Sequence, residues 1–428
     1  MQTLSALDAL FLRVESPSLH MHIASVGIYE GPPPSQDAIR AAITGKLHLV
    51  PRYRQRIRFV PLEAGAPVWV DDPSFGLDYH LRFTALAPPG GEAELCTLAG
   101  RVFGQQLDRD RPLWEMWIAE GLADGRWAVI AKIHHCMADG VAGTDLMSVV
   151  LDTSPDATPE PASPWTPERA PGTARLLVNA LGEGVSDGVE VGRDLVSAAR
   201  HPMRTATDLV HMRRELGAVA RQSPPTSLNG SVGANRRWQP VRGTLAETKA
   251  IGEWFGATVN DVVLAAITTG FRDLLTARGE DVTQTVVRTL VPVSVRSTGE
   301  RGALDNRVSG VFPELPVGVE DPVDRLLAIR EQMEARKSAG EAGGGKTIMA
   351  IGELAPSVLL SFGEHQAAGL PQHFVQTVTT NVPGPRQTLY LAGRRLEEVF
   401  PFVPLGPSVR IGIAIMSYAG ALNYGVTG

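Results

Sequence analysis

The chain has 428 residues, 43% of them hydrophobic, and a formal net charge of −6. Its length is sufficient for two domains that each bury a core, and we expect two. The acidic balance and the scattered Lys and Arg residues argue against a polyanion-binding surface, so no nucleic-acid partner is expected.

The first part of the chain alternates strand-like and helix-like patterns, which predicts a mixed α/β domain over residues 1–152. Ser35 precedes one predicted helix as its N-cap. The predicted elements are, in chain order, a strand at His20 to Tyr29, a helix from about Gln36, a helix around Ala93 to Gln106, and a hairpin of Leu113 to Ile118 with Trp127 to His135.

A proline-rich stretch follows this domain. Prolines recur at positions 155, 159, 161, 164, 167 and 171, a spacing that disfavours both helix and central strand. We therefore predict an interdomain linker over 153–235, proline-rich at first and weakly helical later. The second domain is predicted over 236–428.

The second domain shows helix-start signals and further strands. Thr258 and Asp261 form a capping-box pattern ahead of an apolar helical face, and Asp321-Pro322 has the form of a cap followed by a first-turn proline. The predicted strands are Thr285 to Val295, Phe374 to Asn381, Val409 to Tyr418 and Ala421 to Val426.

Two short motifs match nucleotide and hydrolase patterns by letters alone. Residues 340–347 fit the P-loop pattern, but an amphipathic helix precedes them where that motif needs a buried strand. Ser186 lies in a Gly-x-Ser-x-Gly pattern within the polar linker and not on a buried strand. We therefore predict neither nucleotide binding nor a serine nucleophile.

The most informative motif is His134-His135-Cys136-Met137-Ala138-Asp139-Gly140. The run before it is rich in β-branched and aromatic residues and follows the turn signal Asp124-Gly125, so His135 is predicted at a strand end. With a period of two, His135 and His134 point to opposite faces. A neutral imidazole can take a proton from an attacking hydroxyl, which favours His135 as a general base.

Other interpretations of the motif stay open. Asp139 can pin the turn near Gly140 by pairing with an arginine, or it can contact the imidazole as in a triad. A further alternative is that the motif is a strand end with two histidines that have no catalytic role. A zinc site is disfavoured because adjacent strand histidines diverge and no third ligand follows at a suitable spacing. We predict no metal, and His20 and His22 are interpreted as lining a sheet edge or a cleft.

Further blocks along the chain identify it as resembling the bacterial wax ester synthase/diacylglycerol acyltransferase family, which has a His-His-x-x-x-Asp-Gly motif. The blocks span nearly the whole chain in order, and the ordered set is specific. They are Leu7-Asp8 with Phe11-Leu12, Met21-His22, residues 51–56 (PRYRQR), Pro112-Leu113-Trp114, residues 260–265 (NDVVLA), residues 292–296 (PVSVR) and residues 381–385 (NVPGP).

The resemblance implies a chloramphenicol acetyltransferase-like fold, with two α/β sandwich domains that enclose an interdomain tunnel. It also implies direct acyl transfer from acyl-coenzyme A to the hydroxyl of diacylglycerol or a long-chain alcohol, without a cofactor. His135 would deprotonate that hydroxyl, and His134 would belong to the same catalytic set. Family members generally continue into a further C-terminal segment, which puts the activity of these residues alone in doubt.

The other candidate residues follow from the same resemblance. Asn260 is the candidate oxyanion donor, because it starts a helix whose free N–H groups favour negative charge, with helix capping as the alternative. Arg296 is the candidate partner of Asp139 and, with Gly140, would support the site. The candidates for lining the tunnel are Pro112, Leu113, Trp114, Asp261, Thr380 and Asn381.

The cysteine content of the chain suits a reducing compartment. The two cysteines, Cys96 and Cys136, give no disulfide framework, and no stretch has the pattern of a signal peptide or a spanning helix. We expect a cytoplasmic location that permits peripheral contact with the inner membrane or a lipid droplet. Two other functions stay open, namely a condensation-type enzyme that uses a carrier-bound thioester and a non-catalytic lipid-binding protein.

Overall fold

The computed structural model describes residues 2–137, 149–180, 226–294, 308–343, 375–406 and 408–428. The helices are α1 Ala6–Val14, α2 Gln36–Lys46, α3 Leu77–His80, α4 Glu92–Phe103, α5 at 173–180, α6 Leu245–Phe255, α7 Val259–Ala277 and α8 Pro322–Gly343. The strands are β1 Gln2–Thr3, β2 His22–Tyr29, β3 Gln55–Arg58, β4 Val68–Asp71, β5 Leu81–Ala85, β6 Trp114–Glu120, β7 Trp127–His134, β8 Trp238–Thr244, β9 Val287–Ser294, β10 Val308–Val311, β11 Glu314–Leu315, β12 Thr377–Pro383, β13 Tyr390–Leu391, β14 Arg394–Phe402, β15 Ile411–Tyr418 and β16 Ala421–Thr427.

The chain folds as a mixed α/β protein with two large sheets. The described strands of the first sheet have the order β13-β14-β2-β7-β6-β5, and those of the second have the order β10-β9-β12-β15-β16-β8, with β11 also on β9. A small sheet of β1, β4 and β3 lies beside them. In the second sheet, β12 runs parallel to both β9 and β15.

The predicted hairpin of β6 and β7 is confirmed. Trp114 pairs with Ile133, and the antiparallel register continues to Ala119 opposite Ala128. Asp124 and Gly125 make the turn with positive φ angles of 61° and 69°. Such angles favour Asp and Gly, since most side chains clash in that region.

The alternation along β7 separates two cores. Trp127, Val129 and Ile133 lie in one buried cluster, while Ala128 and Ile130 lie in another beneath α4. A strand buried on both faces is mostly apolar, as this one is, except for Lys132 and His134. The Lys132 ammonium donates to the carbonyls of Val102 and Gln105 at the end of α4, so the buried charge is satisfied.

The predicted starts of three helices, α2, α7 and α8, are confirmed, because their signals are local. Ser35 accepts a hydrogen bond from the Ala38 N–H at the start of α2. Thr258 and Asp261 form the expected capping box of α7, and Asp321 caps α8 by accepting from Val323 and Asp324. The prolines of the predicted linker lie in a stretch, 153–172, without helix or strand.

The second part of the chain also builds the first sheet. β14 pairs with β2 through residues Leu396 to Phe402, and β13 lies outside it. Residues assigned to a second domain therefore form one edge of the sheet that contains the His134-His135 strand. The sequence boundary at 236 stays a prediction, and it does not coincide with a separation of the two sheets.

Among the described helices, none is long and apolar enough by itself to cross a membrane. α6 and α7 pass that test only when taken together, and they are bent by 101° at the break between them.

Candidate active site

The paired histidines lie where β7 ends and a turn begins. β7 ends at His134, and His135 opens a 3-10 turn that runs to Met137. The His134 N–H donates to the Leu113 carbonyl at 2.9 Å, and the His135 N–H donates to the Met21 carbonyl at 2.8 Å. Backbone hydrogen bonds thus hold both histidines in place. β7 ends one residue earlier than the sequence predicts, so His135 lies in the turn.

The His134 side chain is fully buried and faces away from solvent. Its Nδ1 accepts from the Cys136 N–H at 3.2 Å, so the ring proton is on Nε2. That nitrogen lies 3.7 Å from a carboxylate oxygen of Glu15. The His134 side chain therefore makes its contacts inside the protein.

The His135 ring is partly exposed and packs against Phe11 of α1, with ring centroids 4.2 Å apart. Its Nδ1 has no hydrogen-bond partner within the described parts of the chain. Desolvation and the nearby His134 lower the pKa of His135 from 6.5 to about 4. The imidazole is therefore neutral at pH 7, as a proton acceptor must be.

Helix α1, which carries Phe11, was not predicted from the sequence. Ser5 caps it by accepting from the Asp8 N–H, while Asp8 is itself buried and accepts from the Ser5 hydroxyl at 2.5 Å. The Ser-x-x-Asp spacing is a helix-start signal that could have revealed the helix. Its contact with His135 could not be predicted, because it joins segments far apart in the chain.

Two asparagines from the second sheet and its helix meet each other. The Asn381 Nδ2 at the end of β12 lies 3.5 Å from the Asn260 Oδ1 near the start of α7, a long hydrogen bond. Both side chains are half-buried, and Thr380 beside them is half-buried as well. Among the contacts of the described residues, none joins either asparagine to His135.

Comparison with known proteins places these features in a family. The family model of the wax ester synthase/diacylglycerol acyltransferase catalytic domain matches residues 4–263, and that of the WS/DGAT C-terminal domain matches residues 304–428. The chain belongs to the wax ester synthase/diacylglycerol acyltransferase family. It is an acyltransferase by this membership, and the family predicted from the sequence blocks is confirmed.

Relatives and solved structures agree with this family assignment. A probable diacylglycerol O-acyltransferase of Mycobacterium tuberculosis is 37% identical over 431 residues, which cover 100% of this chain and 90% of that protein. The wax ester synthase/diacylglycerol acyltransferase of Marinobacter aquaeolei VT8 superposes with a TM-score of 0.72 at 25% identity, covering 100% of this chain and 93% of that one. The starter condensation domain of rhizomide synthetase, at 14% identity and a TM-score of 0.56, shares the fold, and the two cover 100% of this chain and 88% of that one.

The family's Pro-Leu-Trp block lies beneath the histidines in this acyltransferase. Leu113 and Trp114 are buried in the core, and the Leu113 carbonyl receives the His134 N–H. The Trp114 ring stacks between Tyr53 and His80, and its Nε1 donates to the Tyr53 carbonyl. These contacts give Leu113 and Trp114 a structural role in the core. Pro112 is buried as well. That these three residues line a tunnel stays a prediction.

Asp261 has a structural contact of its own. The Thr258 N–H and hydroxyl both donate to the Asp261 carboxylate, at 2.8 and 2.7 Å, in the capping box. Its carboxylate is therefore engaged in starting α7, and its predicted place along a tunnel is untested. Asp139, Gly140, Arg296 and Ser186 lie outside the described residues, as do residues 344–347 of the P-loop-like stretch, whose first four residues end α8.

The described residues hold no cluster of three or more metal ligands. His22 pairs with His134 across β2 and β7 and is fully buried, and neither of its ring nitrogens has a hydrogen-bond partner in the described ranges. Burial and the neighbouring Lys132 lower the pKa of His22 well below its ordinary value. It stacks on Phe402, so it is a neutral core residue of the first sheet in this family member.

Proposed function

We propose that the protein transfers a long-chain acyl group from acyl-coenzyme A directly to the hydroxyl of diacylglycerol or a long-chain alcohol, with His135 as the general base. The observation that carries this proposal is the state of His135. The residue is partly exposed at the turn, while desolvation of its ring and the nearby His134 lower its pKa and keep the imidazole neutral at pH 7. No acyl-enzyme is needed when the acceptor hydroxyl attacks the thioester itself.

The proposed step balances with the substrates alone. The acceptor oxygen forms a bond to the thioester carbon as His135 takes the hydroxyl proton, and the carbonyl oxygen gains the charge. When the C–S bond breaks, the thiolate of coenzyme A leaves and receives the proton from His135. The products are the ester and free coenzyme A, and the histidine returns to its neutral state.

The oxyanion requires a hydrogen-bond donor, and Asn260 is our candidate. Its carboxamide oxygen faces Asn381, so the amide N–H groups point away from that contact. Asn260 also lies in the first turn of α7, where the helix dipole and backbone N–H groups favour negative charge. A well-placed donor to an oxyanion contributes about 3 kcal/mol to catalysis.

A surface cavity just after the end of β12 is our candidate contact for the phosphates of the donor. It has a volume of about 290 Å³ and is lined by residues 384–386 after β12, residues 417–420 at the end of β15, and Leu245 and Lys249 of α6. Lys249 and Arg386 are both exposed cations on its wall. Their positive charge suits the phosphates of coenzyme A, because exposed cations attract anionic groups from solution.

A direct assay tests the function. Purified protein is incubated with palmitoyl-coenzyme A and either dioleoylglycerol or hexadecanol, and both free coenzyme A and the neutral-lipid product are measured. We expect an ester product that depends on the acceptor. Binding of diacylglycerol without product would favour a lipid-binding protein. Turnover only with a carrier-bound thioester would favour a condensation-type enzyme.

The two cations on the cavity wall lead to a prediction about the acyl donor. Replacing Lys249 and Arg386 together by alanine should raise KM for palmitoyl-coenzyme A by about 10-fold, or about 1.4 kcal/mol. It should leave KM unchanged for the palmitoyl thioester of N-acetylcysteamine, which has no phosphates. The exposed Arg101→Ala provides a control for the loss of a surface charge. Equal changes with both donors would argue against a phosphate contact at this cavity.

The neutral state of His135 predicts the pH dependence. Because the pKa of His135 is lowered to about 4, the base stays unprotonated as pH falls from 8 to about 5. We expect kcat/KM to be level over that range and to fall as pH drops through about 4. Circular dichroism at each pH identifies any loss due to unfolding. An activity midpoint near 6.5 would mean that burial does not shift the pKa of this histidine.

The location is part of the same proposal. An enzyme whose acceptors are diacylglycerol or fatty alcohols needs access to a lipid surface, and we propose a cytoplasmic protein in peripheral contact with a membrane or lipid droplet. Fractionation of cells into soluble, membrane and droplet fractions, with salt washing of the membranes, tests it. Release of the protein only by detergent would argue against peripheral contact.

A further inference from the structure

Helix α1 and the residue after it contact both histidines of the motif. Phe11 packs on the His135 ring, and Glu15, one turn later, lies 3.7 Å from the His134 Nε2. Glu15 is the residue that ends α1 and has an extended backbone, so the helix and its C-terminal end each contact one histidine of the pair. Neither Phe11 nor Glu15 belongs to the His-His-x-x-x-Asp-Gly motif.

Glu15 is a buried carboxylate held by a second charged group. Its side chain is 2% exposed, and one oxygen accepts from both Nη2 and Nε of Arg109, at 2.8 and 3.2 Å. The Arg109 Nη2 also donates to the Leu12 carbonyl at 2.7 Å, which fixes the guanidinium against α1. Burial acts to raise the pKa of Glu15, but its contacts with His134 and Arg109 outweigh that effect and lower it to about 2. The carboxylate is therefore ionised at all pH values at which the protein is expected to work.

The second oxygen of Glu15 connects to the backbone of His135. Glu15 Oε1 accepts from the Met21 N–H at 3.2 Å, and the Met21 carbonyl accepts from the His135 N–H at 2.8 Å. Two hydrogen bonds thus join a buried carboxylate to the residue that carries the proposed base. They lie at the start of β2, where the strand beside β7 begins.

The first oxygen faces His134, whose orientation is set from its other side. Because the His134 Nδ1 accepts from the Cys136 N–H, the ring directs its Nε2 proton toward Glu15. At 3.7 Å this is a close contact between buried groups and not a hydrogen bond, and the His134 Nε2 has no hydrogen-bond partner among the described residues. The His134 ring is thereby held in one orientation behind the turn that carries His135.

We propose that Glu15 is a positioning residue for His135, acting through Met21 on one side and through His134 on the other. It touches no substrate in this proposal, which rests on the acyl transfer proposed above. Arg109 keeps Glu15 charged and in place. Loss of the Glu15 charge is expected to let His135 shift relative to the acceptor hydroxyl, and a displacement of about 1 Å can reduce a rate about 100-fold.

The test is Glu15→Gln, which keeps an oxygen acceptor and removes the charge. We expect kcat to fall by about 10- to 100-fold while KM for palmitoyl-coenzyme A stays unchanged. The imidazole ¹⁵N signals of His135 should also move or broaden in the variant without substrate. Glu94→Gln is a control, because Glu94 is also a hydrogen-bonded glutamate but lies at the start of α4, where it accepts from the Gly91 N–H.

The outcomes separate this proposal from the function itself. A folded Glu15→Gln with unchanged kcat, or one whose lower kcat leaves the His135 signals unaltered, would overturn the positioning role. If Glu15→Gln does not fold, Arg109→Lys removes the two-pronged contact but keeps the charge, and the same loss of kcat and the same spectral change are expected. No turnover by the unaltered protein would overturn the proposed function, while the His135 signals would still report on Glu15.

Discussion

Replacing His135 by alanine is expected to reduce kcat by two to four orders of magnitude, the usual contribution of a general base. The imidazole is the neutral group at this turn that remains partly open to solvent. Its backbone hydrogen bond to Met21 does not depend on the side chain, so the fold should persist. Release of free coenzyme A from palmitoyl-coenzyme A with dioleoylglycerol gives kcat, and thermal unfolding gives stability.

A second histidine provides the control for that experiment. His48 is partly exposed and lies 3.9 Å from Glu160, away from the motif. We expect His48→Ala to retain full turnover under the same conditions. Undiminished turnover by His135→Ala would contradict the general-base assignment, because the reaction would then proceed without the imidazole of His135.

Replacing Trp114 by alanine is expected to destabilise the protein by about 3 to 5 kcal/mol, as for other buried aromatic side chains. Trp114 is 1% exposed and stacks on Tyr53 and His80 with ring centroids 4.4 Å away on each side. Its removal leaves a cavity and leaves the Tyr53 carbonyl without its indole donor. The midpoint and slope of urea unfolding at pH 7 measure the change.

An exposed tryptophan tests whether burial is the cause. Trp254 on α6 is 83% exposed, and Trp254→Ala should change the unfolding free energy by less than about 0.5 kcal/mol. If Trp114 instead lined the substrate site without supporting the core, Trp114→Ala would raise KM and leave stability near that of the unaltered protein. That result would support the tunnel-lining role predicted from the sequence block.

Two features with strong local signals were predicted correctly, whereas α1 was missed although its Ser-x-x-Asp signal is also local. The β6-β7 hairpin has Asp124-Gly125 at its turn, and α7 has both members of its capping box within four residues. Side-chain alternation along β7 was also predicted, since a strand places successive residues on opposite faces whatever lies around it. These properties depend on neighbours in the chain, which the sequence displays directly.

Features made by distant segments were not predicted. β14 joins β2 although their residues are more than 360 positions apart, as in the contact of Arg395 with Glu30. The sequence of β14 does not specify which strand it pairs with, because any apolar strand can pair at a sheet edge. The same reason hid Glu15, whose partner Arg109 is 94 positions away.

The sequence by itself determined the family, the class of chemistry and the histidine pair, because motif residues and their order are explicit in the chain. Tertiary structure alone decided how that pair is divided. It buries His134 against Glu15 and Cys136, and it leaves His135 partly open beside Phe11. The physical reason is that protonation state and orientation depend on desolvation and on charges in space, and these arise only when α1, β2 and β7 are packed together.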